Sequence, residues 1–406
     1  MEVLWLKILV ITSLYPGYKN QPRKEATWAI HYFANKWVEQ GHSVKVVVPW
    51  RFYPRIFSFS ASSLQKRKYA FEEFFPVQNI EVFRLPMKKI PWVEFAKEII
   101  DCAVNRIVEF LNIKSFKPDI IIAQYSNPSG IIATQLKRKL KIPFIMGLHT
   151  SDIFYQKRRP KTFEEIIRNC DGVVFRSKKI KDHFNNLKLA NLISKEKIIP
   201  SGINKDFIME KDHILKKSRK ETTKIMTACN LIPLKNVDVL IKAFAELDYE
   251  NLNLTIVGNG KEFQKLKKLS IKKGIEKNIK FAGEMSRYEV LNEMRKSDVF
   301  VMVSSPETFG LVYLEAMASG CITVGSKGEG IDGVIKDGYN GFLVEPRNVS
   351  ALKDTLERII NLNHFEKESI LINGLKTVSA LSENAVAMQY ISFIREIIEL
   401  EKQDCK

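Results

Sequence analysis

Glu307 and Glu315 lie in the run Pro306-Glu307-Thr308-Phe309-Gly310-Leu311-Val312-Tyr313-Leu314-Glu315-Ala316-Met317-Ala318-Ser319-Gly320, on either side of a strand-to-helix turn. Before it, Asp298-Val299-Phe300-Val301-Met302-Val303 is β-branched and aromatic at strand length, and Leu311 to Ser319 holds good helix formers ahead of Gly320, a natural C-cap. Glu307 then falls in the connecting loop and Glu315 inside the helix. A helix start offers unpaired N–H groups and a positive dipole end, which suit a phosphate, while carboxylates beside it accept hydrogen bonds from sugar hydroxyls. One short segment therefore has the chemistry to hold a diphosphate and a sugar. Spacing alone leaves the plainer uses open, dipole compensation for one glutamate and an exposed helix position for the other.

A leaving phosphate needs its charge neutralised by cations, backbone N–H groups or a helix end where no metal serves. Lys235 is the leading cation, in Cys229-Asn230-Leu231-Ile232-Pro233-Leu234-Lys235-Asn236-Val237, after one strand and at the start of a helix. The six histidines form no His-x3-His cluster and there is no Asp-x-Asp, so the sequence points to no bound metal. The five cysteines, Cys102, Cys170, Cys229, Cys321 and Cys405, are scattered and include no Cys-x-x-Cys pair, which argues for a reducing cytoplasm. No apolar run reaches the roughly 18 residues needed to span a bilayer, and Lys7 to Thr12 reads as a first buried strand rather than a signal peptide core.

These residues must be positioned by alternating strands and helices. Lys7 to Thr12, Thr27 to Gln40 and Ser43 to Pro49 make a first βαβ unit, which lays down parallel sheet with a right-handed crossover. Strands are predicted over Ile80 to Leu85, Asp119 to Ala123, Pro143 to Gly147 and Gly172 to Phe175, with helices over Trp92 to Leu111 and Gly130 to Leu140. Residues 50–79 break the alternation and read as an irregular insertion. Lys197 to Asn204, with Pro200 and Gly202, reads as the interdomain link. A second series follows from Lys224 to the motif helix, and Glu383 to Lys402 is helical by period. The fold class is α/β with two Rossmann-like doubly wound domains, 1–200 and 201–382, and a terminal helix over 383–406. Ligands of such sheets bind outside the carboxyl ends of the strands, so a facing pair makes a cleft.

Glu-x7-Glu, with Phe-Gly after the first glutamate and Glu-Ala-Met-Ala-Ser-Gly at the second, resembles the signature of glycosyltransferase family 4, retaining enzymes of the GT-B fold that use nucleotide sugars. The resemblance covers nearly the whole chain and is strongest over 304–346. It implies that Glu307 contacts the transferred sugar, that the backbone of Phe309, Gly310 and Leu311 holds phosphate oxygens, and that Glu315 holds the ribose hydroxyls. Lys235 would serve the diphosphate. The family's usual arginine beside that lysine is replaced here by Asn230. Gly258, in Val257-Gly258-Asn259-Gly260, resembles a family donor loop, and Met285 stands where the family places the base. His149, in His149-Thr150-Ser151-Asp152, resembles the family's His-Gly-Ser-Asp and becomes the candidate polar contact at the sugar, while Asp152 reads as a helix cap. Gly17 occupies the place of the first glycine loop, near acceptor and phosphate. In the GT-B fold the last helix packs back on the N-terminal domain, which would bind the acceptor, while the C-terminal domain binds the donor. No cofactor is implied beyond the nucleotide-diphosphate sugar.

The net charge of +18 is unevenly spread: residues 1–200 carry 34 Lys and Arg against 17 Asp and Glu, and the remainder 30 against 29. Basic clusters at Lys66-Arg67-Lys68, Lys88-Lys89, Lys137-Arg138-Lys139 and Lys157-Arg158-Arg159 stand near the aromatic runs Trp50 to Phe59 and Phe71-Glu72-Glu73-Phe74-Phe75. Such a surface suits anionic lipid headgroups, at about 1 kcal/mol per cationic residue near the surface. The sequence therefore predicts a cytoplasmic enzyme acting on a glycan or lipid-linked glycan, with peripheral membrane contact. Nucleic acid is the rival partner by charge, but no zinc-finger spacing, RNP-like string or basic zipper accompanies it. The alternative function is a non-catalytic basic binding protein that uses the same fold on anionic membrane or RNA.

Overall fold

Short apolar runs buried along their whole length, such as Ile120–Gln124 and Phe144–Leu148, become parallel strands covered on both faces in the computed structural model. The structure describes residues 5–404 except 19–20, 22–25, 59, 72–73, 92, 188 and 250. Phe59, Glu72, Glu73, Trp92 and Cys405, named above, lie outside them. Two compact units form: the described residues of Met1–Arg176, Ile180–Ile199 and Val386–Lys406, and Ser177–Lys179 with Pro200–Ala385.

In chain order the first unit contains β1 (Lys7–Thr12), α1 (Ala29–Glu39), β2 (Ser43–Phe52), α2 (Ala61–Tyr69), β3 (Phe74–Val77), β4 (Ile80–Lys88), α3 (Lys97–Ile113), β5 (Ile120–Gln124), α4 (Ile131–Leu140), β6 (Phe144–Leu148), α5 (Thr150–Arg158), α6 (Pro160–Asn169), β7 (Gly172–Phe175), α7 (Lys178–Asn185, whose first two residues group with the second unit) and β8 (Glu196–Ile198). Its eight strands run in the order β3-β4-β2-β1-β5-β6-β7-β8, all parallel except β3. The second unit contains α8 (Lys211–Ser218), β9 (Lys224–Ala228), α9 (Val237–Phe244), β10 (Asn253–Val257), α10 (Phe263–Lys272), β11 (Ile279–Gly283), α11 (Arg287–Lys296), β12 (Val299–Val301), α12 (Leu311–Ala318), β13 (Ile322–Ser326), β14 (Phe342–Val344), α13 (Val349–Ile360) and α14 (His364–Ala380). Its six strands run β11-β10-β9-β12-β13-β14, all parallel. Strand order reverses between β1 and β5 in the first sheet and between β9 and β12 in the second. Crevices outside the carboxyl ends of strands at such switch points are where open α/β sheets bind ligands.

Residues 50–79 are not an irregular insertion. β2 continues to Phe52, Ser60 and Ser63 close a capping box at the start of α2, and Lys66, Arg67 and Lys68 fall in its last turn, where the helix dipole favours cations. β3 then pairs antiparallel with β4 through a two-residue turn at Gln78-Asn79, with Gln78 at φ 52°, and Phe74 packs 5.3 Å from Phe83. A rule of alternating strand and helix cannot foresee a hairpin. The proposed link also begins later than expected, because Lys197 and Ile198 close β8, paired with β7.

The last helix, α15 (Glu383–Asp404), supplies part of the first unit's core. Trp37 Nε1 donates to Ala387 O at 3.3 Å, and the Tyr390 ring lies 5.1 Å from Trp37 and 5.5 Å from Phe33, edge to face in both cases. Phe393 and Ile397 lie over Gly172 of β7.

Candidate active site

The loops that leave β9 and β12 meet at the switch point of the second sheet. After β9 the chain makes a 3-10 turn at Pro233–Lys235, and Asn236 adopts a left-handed conformation (φ 50°, ψ 37°) before α9 starts. Asn236 Nδ2 donates to Val303 O at 2.7 Å, and the Ser305 N–H donates to Leu234 O at 2.9 Å. These two bonds hold Lys235 against the β12 loop, where its Nζ donates to Glu307 Oε2 at 2.6 Å. Both side chains are mostly covered, with 21% and 14% exposed. Ser304 Oγ donates to the same carboxylate oxygen at 3.2 Å, and the Thr308 N–H to the other at 3.1 Å.

Gly310 stands before α12 at φ 79°, ψ 79°, and a Cβ there would come within 2.6 Å of the Tyr313 ring. Only glycine fits that turn without displacement. Among the described residues the N–H groups of Phe309, Gly310 and Leu311 donate to no backbone or side-chain acceptor, so the start of α12 presents donors and a positive dipole end together. Tyr313 braces the turn from inside by donating its hydroxyl to Met302 O at 2.6 Å. One turn further along α12, the buried Glu315 pairs with Arg287, whose Nε and Nη2 both lie 2.7 Å from Oε1. The Arg287 guanidinium also covers the Phe207 ring at 4.6 Å.

The other candidates of this unit lie at neighbouring strand ends. Asn230 is exposed just beyond β9, and its carbonyl accepts the Ile232 N–H at 2.8 Å. Gly258 follows β10 with its N–H already given to Gly283 O at 2.7 Å. Met285 follows β11, half-buried against an apolar cluster that includes Tyr313 and Leu314. Among the described residues no group of three or more His, Cys, Asp or Glu converges as metal ligands do.

His149 and Gly17 belong to the first unit. His149 follows β6 as the N-cap of α5, its Nε2 donating to Gln124 Oε1 at 2.8 Å and its ring stacked 4.0 Å from Tyr125. Burial, and secondarily the charge of Arg176, hold its pKa well below the usual histidine value. The imidazole is therefore neutral and can offer a hydrogen bond but no positive charge. Asp152 accepts the N–H groups of His149 (2.8 Å) and Ser126 (2.6 Å); burial outweighs these bonds and pushes its carboxyl up to about 6. Its structural reading as a cap fits those bonds. Gly17 follows β1, its carbonyl accepting from the buried Arg84 at 2.5 Å and its N–H donating to Gln21 at 2.7 Å.

Arg287, Ser304 and Ser305 in the second unit, and separately Gln124 and Tyr125 in the first, lie beside these candidates without a sequence signal of their own. Arg287 sits in a Ser286-Glu289 capping box that reads only as a helix start. Gln124 and Tyr125 simply follow a strand, and only the first sheet's switch point marks them.

The sequence model for glycosyltransferase family 4 matches residues 26–207, and that for glycosyl transferases group 1 matches residues 209–376. The chain belongs to glycosyltransferase family 4. An uncharacterised glycosyltransferase of Methanocaldococcus jannaschii is 28% identical over 340 residues, 80% of this chain and 90% of the relative. The α-monoglucosyldiacylglycerol synthase of Acholeplasma laidlawii is 24% identical over 350 residues, 80% of this chain and 85% of the relative. Among solved structures, the Anabaena protein HepE in complex with UDP and glucose superposes with a TM-score of 0.65 at 19% identity, covering 96% of this chain and 99% of that one. The two Rossmann-like sheets are thus those of the GT-B fold, and the chain is a glycosyltransferase by family.

Proposed function

We propose that this enzyme is a retaining hexosyltransferase that moves a hexose from a UDP- or GDP-linked donor to a hydroxyl of a glycan or lipid-linked glycan, in cell-surface polysaccharide or glycolipid synthesis at the cytoplasmic face of the membrane. The observation that carries this reading is the Lys235–Glu307 pair beside the open N–H groups of Phe309, Gly310 and Leu311. A diphosphate brings more negative charge than one carboxylate and can draw Lys235 towards itself, releasing Glu307 to accept hydrogen bonds from sugar hydroxyls. Glu315 would take the ribose hydroxyls while Arg287 holds it in place. In the transfer step the C1–O bond to the β-phosphate breaks, the acceptor oxygen bonds C1 on the same face, and the acceptor proton passes to the departing phosphate oxygen. Lysine and amides offset the charge that develops there, in place of a divalent cation.

The acceptor reading draws support from the relative whose name gives a glucosylated diacylglycerol, and from the first unit's surface. Ile56, Leu64, Phe71 and Phe74 are exposed there among Arg55, Lys66, Arg67 and Lys68, a mixture of apolar and cationic groups that suits an anionic lipid surface. No helix among the described residues is long and apolar enough to cross a membrane. Donor hydrolysis across a panel of nucleotide sugars tests the reading, paired with thermal unfolding in UDP and GDP. The cognate diphosphate at about 100 times its Kd should stabilise the enzyme by ~2.7 kcal/mol. No shift with any nucleoside diphosphate would overturn the donor assignment.

A further inference from the structure

The donor reading gives no part to Glu329, a carboxylate only 6% exposed in the loop after β13. A buried carboxylate persists only where hydrogen bonds and an opposite charge compensate its lost hydration. Glu329 has both. Its Oε2 accepts the Glu307 N–H at 2.6 Å and pairs with the Nζ of Lys179, from the short segment 177–179 that groups with the second unit. Its Oε1 accepts the Ser305 hydroxyl at 2.8 Å. The next residue completes the hold: the Gly330 N–H donates to Glu307 O at 3.1 Å. Both backbone polar groups of Glu307 are thus fixed by consecutive residues of one loop. A Cβ at position 330 would come within 2.0 Å of Thr308 O, so the approach requires glycine.

We propose that Glu329 is a positioning residue for transfer: it anchors the loop that carries Glu307, setting that carboxylate where it meets Lys235 and the transferred sugar, while Lys179 neutralises the anchor. This rests on the donor-site reading of Glu307. A charge-assisted bond to a backbone N–H is stronger than a neutral one, and a shift of about 1 Å in a group that orients substrate can cost ~100-fold in rate. Because Glu329 acts through the Glu307 loop, its loss should fall on the sugar-transfer step and spare the diphosphate subsite at α12.

The test is a double-mutant cycle on the full-length enzyme with the donor identified by the panel, reading kcat, donor KM and the Kd of UDP and GDP. Glu329→Ala should lower kcat by about 100-fold while the diphosphate Kd changes less than about threefold. Added to Glu307→Ala, it should cost little more. Glu329→Gln keeps the shape and one acceptor oxygen but loses the charge opposite Lys179, and its kcat should fall between wild type and Glu329→Ala. It carries the test if Glu329→Ala fails to fold. Independent, multiplying losses in the double variant would overturn the proposal, and so would a fall in diphosphate affinity that parallels kcat. If Glu307→Ala itself keeps full activity, the donor-site reading has failed, and the positioning role falls with it.

Discussion

Lys235 and Glu307 satisfy each other in the structure, and their value to catalysis depends on exchanging partners when substrate arrives. Lys235→Ala should cut kcat/KM by about 10²–10³-fold, the scale of removing one group that stabilises developing charge. Its cost in urea unfolding should be only about 1–2 kcal/mol, since Ser304 and the Thr308 N–H still serve Glu307. Full activity in Lys235→Ala with an identified donor would remove the lysine from the mechanism. His149 makes a separate prediction about pH. Its folded pKa lies below the unfolded value near 6.5, so below that pH the unfolded chain binds a proton that the native state refuses, and stability falls as pH drops. Asp152 acts oppositely: raised to about 6, it favours the native state at low pH and loses that contribution as pH rises from about 4 to 6. Comparing wild type with His149→Gln cancels much of the aspartate effect. Wild type should lose up to about 1.4 kcal/mol relative to the variant per pH unit below 6.5, and parallel melting curves from pH 7.5 to 5.5 would contradict the neutral buried imidazole. Glu307, Glu315 and Lys235 were legible because a local string carries them. Glu329 was not, because what makes it matter is Lys179, 150 residues away in sequence, and a backbone N–H 22 residues back.

At the scale of elements, the turn into α12 does most to shape the candidate site. Gly310→Ala would place a methyl group against the Tyr313 ring in a backbone conformation that alanine resists. A loss of about 1–3 kcal/mol in unfolding free energy is expected, together with loss of the stabilisation by UDP or GDP. A variant that melts like wild type and still responds to nucleotide would show that the turn tolerates a side chain. The strand and helix that flank this turn were legible to within two residues, Asp298 to Val303 against β12 and Leu311 to Ser319 against α12, since one is a short β-branched and aromatic run and the other holds good helix formers up to Gly320. The α2 and β3 segment escaped the same reasoning. Its regularity comes from a capping box, a hairpin turn and packing of Phe74 against Phe83 and Phe110, none of which appears as hydrophobic periodicity.

For the whole molecule, charge and metal dependence give two further tests. Co-sedimentation with vesicles containing phosphatidylglycerol should be strong at low ionic strength and weaken steeply as salt is raised, because separated surface charges are screened within about 10 Å at 0.1 M. Equal binding to neutral vesicles would remove the membrane role of the first unit's cationic surface. Turnover should survive chelation by EDTA; activity that vanishes and returns with magnesium or manganese would overturn charge neutralisation by Lys235 and the α12 N–H groups alone. The uneven charge and the aromatic runs beside it were visible in the sequence, but not that Ile56 and Phe71 stay exposed or that Leu64 of α2 joins them, which depends on how α2 docks.

The arrival of α15 in the first unit has a consequence for biosynthesis. Tyr390, Phe393, Ile394 and Ile397 are buried, each contributing on the order of 1.5–3 kcal/mol, and they are translated nearly two hundred residues after β8. Until then α1 and β7 lack their cover, with Trp37 and Phe33 open to solvent and to chaperones. A fragment ending at residue 199 should accordingly aggregate on expression, and a synthetic peptide spanning 383–404, supplied during refolding, should rescue it in trans.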